Sequence, residues 1–242
     1  MNIAVASRSA VRAGTSFYLT MAIVSAVIVF VGFAPSFYLK SVIHAPTPPL
    51  TLLTIVHGVV FTAWMGLFIT QSALISANNI ALHRQLGMMG AMLMGAMLSL
   101  GYATALTMGR LGHAPPGAPA PLAFMALPLI GMTAIAVLVA MALLYRQKSA
   151  WHKRLMLAAL FTMTSPGSAR LFIPLGYGAM STWFSLMISE GLLAIAMLHD
   201  WRTEDRVHPA YWVAAGVMAV VHISVAWAFT SPAWLAFARA IT

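Results

Sequence analysis

Residues 51–75 contain no Asp, Glu, Lys or Arg, and apolar runs of the same kind recur along the whole chain. An uninterrupted apolar stretch of ~20 residues is what a helix needs to cross a hydrocarbon layer. No other feature limits the fold as strongly. Only 7% of the 242 residues are charged and 61% are hydrophobic. Soluble domains carry about 25% charged residues. The runs are continuous and rich in Leu, Ala and Met, so they predict helices, not the short alternating strands of a membrane barrel.

The predicted fold is all-α: one polytopic bundle of seven transmembrane helices filling residues 1–242. The expected spans are 15–38, 51–75, 86–108, 121–145, 153–173, 179–198 and 210–230. Ser165-Pro166-Gly167 is expected to break the fifth span near its end, and the closing SPAWLAFARAIT to lie at the interface with Trp234 as its anchor. Arg8, Arg12, Arg84, Arg146, Lys148, Lys153, Arg154, Arg202 and Arg206 fall on one side of this arrangement. Lys40, Arg110 and Arg239 fall on the other, with Arg170 near that end of the fifth span. Positive residues concentrate in the cytoplasm, so the N-terminus is expected inside and the C-terminus in the periplasm of a bacterial inner membrane. The Pro-rich loops HAPTPPL and GHAPPGAPAP then lie outside and are expected to be extended.

Several function classes drop out. The formal charge of +9 comes from short loops between spans, a topology signal and not a nucleic-acid surface. With no cysteine there is no disulfide framework, thiolate metal site or iron–sulfur cluster. Lys40, Lys148 and Lys153 are the only lysines and none lies inside a span, which excludes a retinal Schiff base. Neither H-E-x-x-H nor G-x-S-x-G is present. The eighteen methionines, Met88, Met89, Met92, Met94 and Met97 among them, read as adaptable packing.

Ionisable or polar groups inside a span are the candidates for chemistry, because their burial has to be compensated. His57, Phe61, Trp64, Phe68 and Gln71 recur at steps of four and three and share one helix face, which should look into the bundle. His57 lies ~9 Å below the outer start of its span and His222 ~12 Å below the outer end of the seventh. At matched depth they are candidate axial ligands of a haem iron, with Arg170 near the propionates and Trp64 and Gln71 along the wall. His83 and His152, each opening a span on the cytoplasmic side, are candidates for a second haem. Glu190 is a carboxylate within the sixth span, able to join His57 and His222 in a proton-coupled site or to pair with Arg170 or His222. His44 and His113 fall in outer loops, expected to be solvated. Asp200, Glu204 and Asp205 beside His199 and His208 read as a solvated loop, with a divalent-metal site as the alternative.

GFAPSFYL closing the first span, HGVVFTAWMGLFITQ, LHRQLG, WHKRLML and HDWRTEDRVHPAYW resemble a widespread set of bacterial seven-helix inner-membrane proteins of the DUF type. The resemblance covers nearly the whole chain. It implies the architecture and a recurring set at His57, Trp64, Gln71, His83, Arg84, His152, Lys153, Arg154, Arg170 and His208, and brings no settled activity. A fainter likeness is to di-haem b-type membrane cytochromes, with the departure that the fourth span here holds no histidine.

The leading expectation is a membrane redox protein binding haem b, with the lipid bilayer around it and a quinone or another membrane redox partner. A small-molecule or proton-coupled transporter or sensor is the alternative, and a structural or assembly subunit of a membrane complex the third.

Overall fold

The computed structural model describes residues 2–44 and 47–242, with side chains from residue 17 onward; those of Arg8 and Arg12 lie outside this part. Among the described residues all regular secondary structure is helical and no strand occurs. The long helices are α1 (Asn2–Phe33), α2 (Leu52–Ser76), α3 (Ile80–Arg110), α4 (Ala126–Leu144), α5 (Ser149–Phe172), α6 (Ser181–Glu204) and α7 (Pro209–Thr230). A ten-residue helix, α8 (Pro232–Ile241), follows. Six segments are long and apolar enough to cross a membrane: Phe17–Tyr38, Leu52–Ser76, Ile80–Arg110, Pro121–Leu144, Gly178–Glu204 and Pro209–Thr230. The expected fifth span lies in α5, which is not among them.

The reason is where α5 sits. It packs against α1, α4, α6 and α7 at once, while α2 and α3 complete a ring that runs α1–α2–α3–α4–α5. Its residues Leu155, Leu157, Ala158, Ala159, Leu160 and Phe161 are fully buried. A helix enclosed by protein has no lipid to satisfy, so it can carry Arg154, Ser165, Ser168 and Arg170 that an outer helix could not. The outer helices turn large apolar side chains such as Val27, Met88, Met92, Ile195, Val220 and Trp227 outward.

Two devices seat α5. Towards α1, Gly32 and Gly167 bring the backbones so close that a Cβ on Gly32 would lie 2.0 Å from the Gly167 carbonyl oxygen. Towards α6, buried hydroxyls meet: Ser165 Oγ is 3.0 Å from Ser185 Oγ, and Thr164 Oγ1 is 3.3 Å from Ser189 Oγ. Small residues and hydroxyls are the usual means of close helix contact where hydrophobicity cannot discriminate.

Some expectations need correction. Ser165-Pro166-Gly167 does not break α5, which stays helical to Phe172 around Pro166. A proline removes a single ladder N–H, and membrane helices tolerate that loss when neighbouring groups shelter the segment. Irregularity occurs instead directly after α1, where Ala34–Tyr38, with Pro35 in its first turn, forms a π turn. There the Phe37 ring fills the space over Gly58 and Tyr38 bonds Thr62 at 2.7 Å, fixing the end of α1 to α2. Trp234 is 9% exposed and donates its Nε1–H to the Leu122 carbonyl at 2.8 Å, so it fastens α8 to the bundle and is no free interfacial anchor. In the HAPTPPL loop, Ala45 and Pro46 lie outside the described residues.

Candidate functional site

Polar chemistry collects at three levels of the bundle. At the end formed by the start of α5, the end of α6 and the start of α7, Arg154 and Asp200 are each 1% exposed. Arg154 Nε donates to Asp200 Oδ2 at 2.7 Å and Nη2 to Oδ1 at 2.9 Å, a two-pronged contact that matches guanidinium to carboxylate. Nη2 also reaches Glu204 Oε1 at 2.5 Å, and Nη1 donates to the Ala150 carbonyl at 3.1 Å. Asp200 Oδ2 accepts the His208 backbone N–H at 3.2 Å as well.

Aromatic rings line this ion pair. The Arg154 guanidinium is 5.8 Å from the Tyr211 ring centre and Lys153 Nζ is 4.9 Å from that of Tyr18. The Tyr18 and Tyr211 hydroxyls approach one another, yet neither makes a hydrogen bond of normal geometry. Phe17 stacks on His199 with ring centres 3.8 Å apart. The solvated-loop reading therefore fails for Asp200, which is the counter-ion of a buried arginine. No group of three His, Asp or Glu suited to a metal ion occurs among the described residues.

His208 opens α7 as its N-cap, its Nδ1 accepting the Ala210 N–H at 3.1 Å. Burial, and after it the Arg154 charge, hold its imidazole below the ordinary value of 6.5.

At the same end, the His83 and His152 rings lie 6.4 Å apart, centre to centre, with planes at 85°. His152 Nδ1 is 2.9 Å from the Ala142 carbonyl oxygen, and Gln71 Nε2 donates to the His83 carbonyl at 3.0 Å. The inward face read from α2 is present: Trp64 is buried, and Phe61 and Phe68 pack on the core.

His57 and His222 have different neighbours. His57 packs on Phe61 and lies against the Leu100 backbone, on an α2 that touches α1 and α3. His222 belongs to α7, which packs on α4, α5 and α6. The two helices that carry these rings are not neighbours in the ring of helices. Arg170, at the far end of α5, lies 4.0 Å over the Phe33 ring and donates to the Pro166 carbonyl at 2.6 Å.

What His222 meets is Glu190. Its Nδ1 is 3.2 Å from Glu190 Oε1, and the two side chains are 27% and 42% exposed. Running antiparallel, α6 places Glu190 ~14 Å from its start and α7 places His222 ~12 Å from its end, so the two helices set them at one level. Thr162, Leu186, Ser189, Met218 and Val221 complete a small cavity of about 20 Å³ beside the pair. A groove of about 200 Å³, walled by Leu193, Ala194, Met197, Ala215 and Met218, adjoins it at Glu190. An acid and a base thus stand at the head of an apolar groove on the flank of the bundle.

Sequence reading missed the Arg154–Asp200 pair and the hydroxyl ladder. A signal for the second existed: Ser181, Ser185 and Ser189 repeat every fourth residue and so form one stripe on α6. The class defined by fold and site is an all-helical membrane bundle with a carboxylate–imidazole pair between two of its spans. No family model, curated protein or solved structure matches the chain.

Proposed function

We propose that the chain is a seven-helix protein of the bacterial inner membrane that binds a lipophilic molecule at Glu190–His222 and exchanges a proton with its polar head group. The seventh crossing on this reading is α5, whose 24 residues give ~36 Å of helix against a hydrocarbon core of ~30 Å. The cytoplasmic N-terminus rests on the excess of Lys and Arg at the Arg154 end.

The observation that carries the reading is the Glu190–His222 contact at the head of a groove open to the side. Two ionisable groups half-exposed at such a depth are costly in hydrocarbon unless they share a proton or bond a guest. A carboxyl group and an imidazole together can both donate to and accept from a carbonyl or hydroxyl head, as a quinone-like or weakly basic amphiphile presents. The apolar walls, Leu193, Met197 and Met218, suit its tail, and Met adapts to irregular shapes.

A lipophilic carbodiimide adds to a protonated carboxyl in an apolar setting and raises its mass by the whole reagent. In native membranes Glu190 is expected to be the residue modified, and less so with a short-chain quinone analogue in excess. Glu190 left untouched, or reached as well by a water-soluble carbodiimide, refutes the site. In proteoliposomes, Glu190→Gln is expected to abolish ligand-dependent proton uptake.

A further inference from the structure

His83 and His152 meet across the ring of helices without bonding each other, and each opens its own helix: they are the fourth residues of α3 and α5. The Ala142 carbonyl can only accept, so His152 Nδ1 carries the hydrogen and a neutral ring leaves Nε2 with its lone pair. An imidazole held by a backbone carbonyl on one nitrogen and bare on the other is the standing arrangement of a metal ligand. His83 Nδ1 and Gln71 Oε1 are both buried without a hydrogen-bond partner. Buried polar atoms without a partner call for an explanation, and a bound water or an ion is one.

The spacing narrows the occupant. Metal–nitrogen bonds are ~2.0 Å and a ring nitrogen lies ~1.1 Å from its centre, so two imidazoles on either side of one ion stand ~6.2 Å apart. The observed 6.4 Å matches. Yet two donors are too few for a bare divalent ion such as zinc, which takes about four, and no third candidate ligand joins them among the described residues. Arg84 follows His83 directly and repels a free cation. The ion must therefore bring its own in-plane donors, together with negative charge to answer Arg84. Gly87, one turn beyond His83 on the same face, leaves room beside the ring: a Cβ there would meet only Gln71 Nε2, at 3.4 Å.

We infer that His83 and His152 are the axial ligands of a haem-type metalloporphyrin, seated between the starts of α3 and α5 with a carboxylate towards Arg84. This site is independent of Glu190–His222 and would hold if that reading failed.

The full-length protein purified in detergent, titrated with ferric haem, tests it. Uptake of one haem per chain with a sharp reduced α band, the sign of six-coordinate iron with two imidazoles, is expected. His83→Ala and His152→Ala should each lose that band, and added imidazole should restore it, while His57→Ala and His222→Ala leave it unchanged. Unaltered helical circular dichroism keeps a folding failure from passing as ligand loss. No uptake overturns the inference. So does a band that survives both alanine variants, which marks adventitious haem, and so does tight binding of copper or zinc in place of haem.

Discussion

Replacing Arg154 should cost more than replacing Asp200, and removing both should cost less than removing Arg154 alone. Each side chain is 1% exposed, and the pair exchanges bonds of 2.7 and 2.9 Å. Breaking a buried ion pair by deleting one partner costs about 3–5 kcal/mol, because the survivor is left charged in a poor solvent. In Asp200→Asn the arginine keeps Glu204 at 2.5 Å and the Ala150 carbonyl, so the loss belongs at the lower end, about 3 kcal/mol. In Arg154→Met the buried carboxylate keeps only the His208 N–H, which places the loss near 5 kcal/mol. Arg154→Met with Asp200→Leu removes both charges and fills their volume, so it should recover most of that. Reversible unfolding of the three variants in mixed micelles, read by tryptophan fluorescence and closed as a double-mutant cycle, measures the ordering. Single variants within about 0.5 kcal/mol of the parent would be the range of ordinary surface changes. That result would refute a dry ion pair.

Two further outcomes follow from the packing and the cap. Gly32→Val drives side-chain carbon into the Gly167 carbonyl, which is backbone and cannot yield, so the loss should exceed the 1–3 kcal/mol typical of overpacking; Gly66→Ala, with nothing within 4 Å, serves as the silent control in the same unfolding assay. His208 is held below its ordinary 6.5 in the folded chain, so the unfolded chain binds more protons there. The stability it contributes is present above pH 6.5 and is lost as pH falls through the lowered value, and protonation also removes the Nδ1 lone pair that caps Ala210. Melting temperature should therefore drop on acidification, by less in His208→Asn, which can cap at any pH. An identical slope in the variant would refute the assignment.

Apolar length carries most of what can be read from the sequence. The runs at 51–75 and 210–230 match α2 and α7 within a residue, and those at 86–108 and 121–145 match α3 and α4 to within six residues at their starts, because a bilayer-length run has few other folds open to it. The inward face of α2 was readable from spacing alone, and Trp64 at 4% exposure lies on it. Which helices touch was not readable. His57 and His222 share a depth, but depth fixes only one coordinate, and the neighbours of α7 are set by ridge packing spread over many small residues. Asp200 shows the same limit. Beside Arg202, Glu204, Asp205 and Arg206 it looks like one charge in a solvated loop, and only the last turns of α6 folding under Arg154 reveal its partner. The hydroxyl stripe of α6 is periodic in sequence, but its counterpart on α5 is visible only once the two helices are adjacent.

The enclosure of α5 bears on how the chain gets into its membrane. A segment that carries Arg154, Ser165, Ser168 and Arg170 is a poor guest for lipid on its own. Its arginine finds a counter-ion, and its hydroxyls find partners, on α6, the next helix to be synthesised. On the seven-crossing reading proposed above, the two enter the bilayer together as a hairpin.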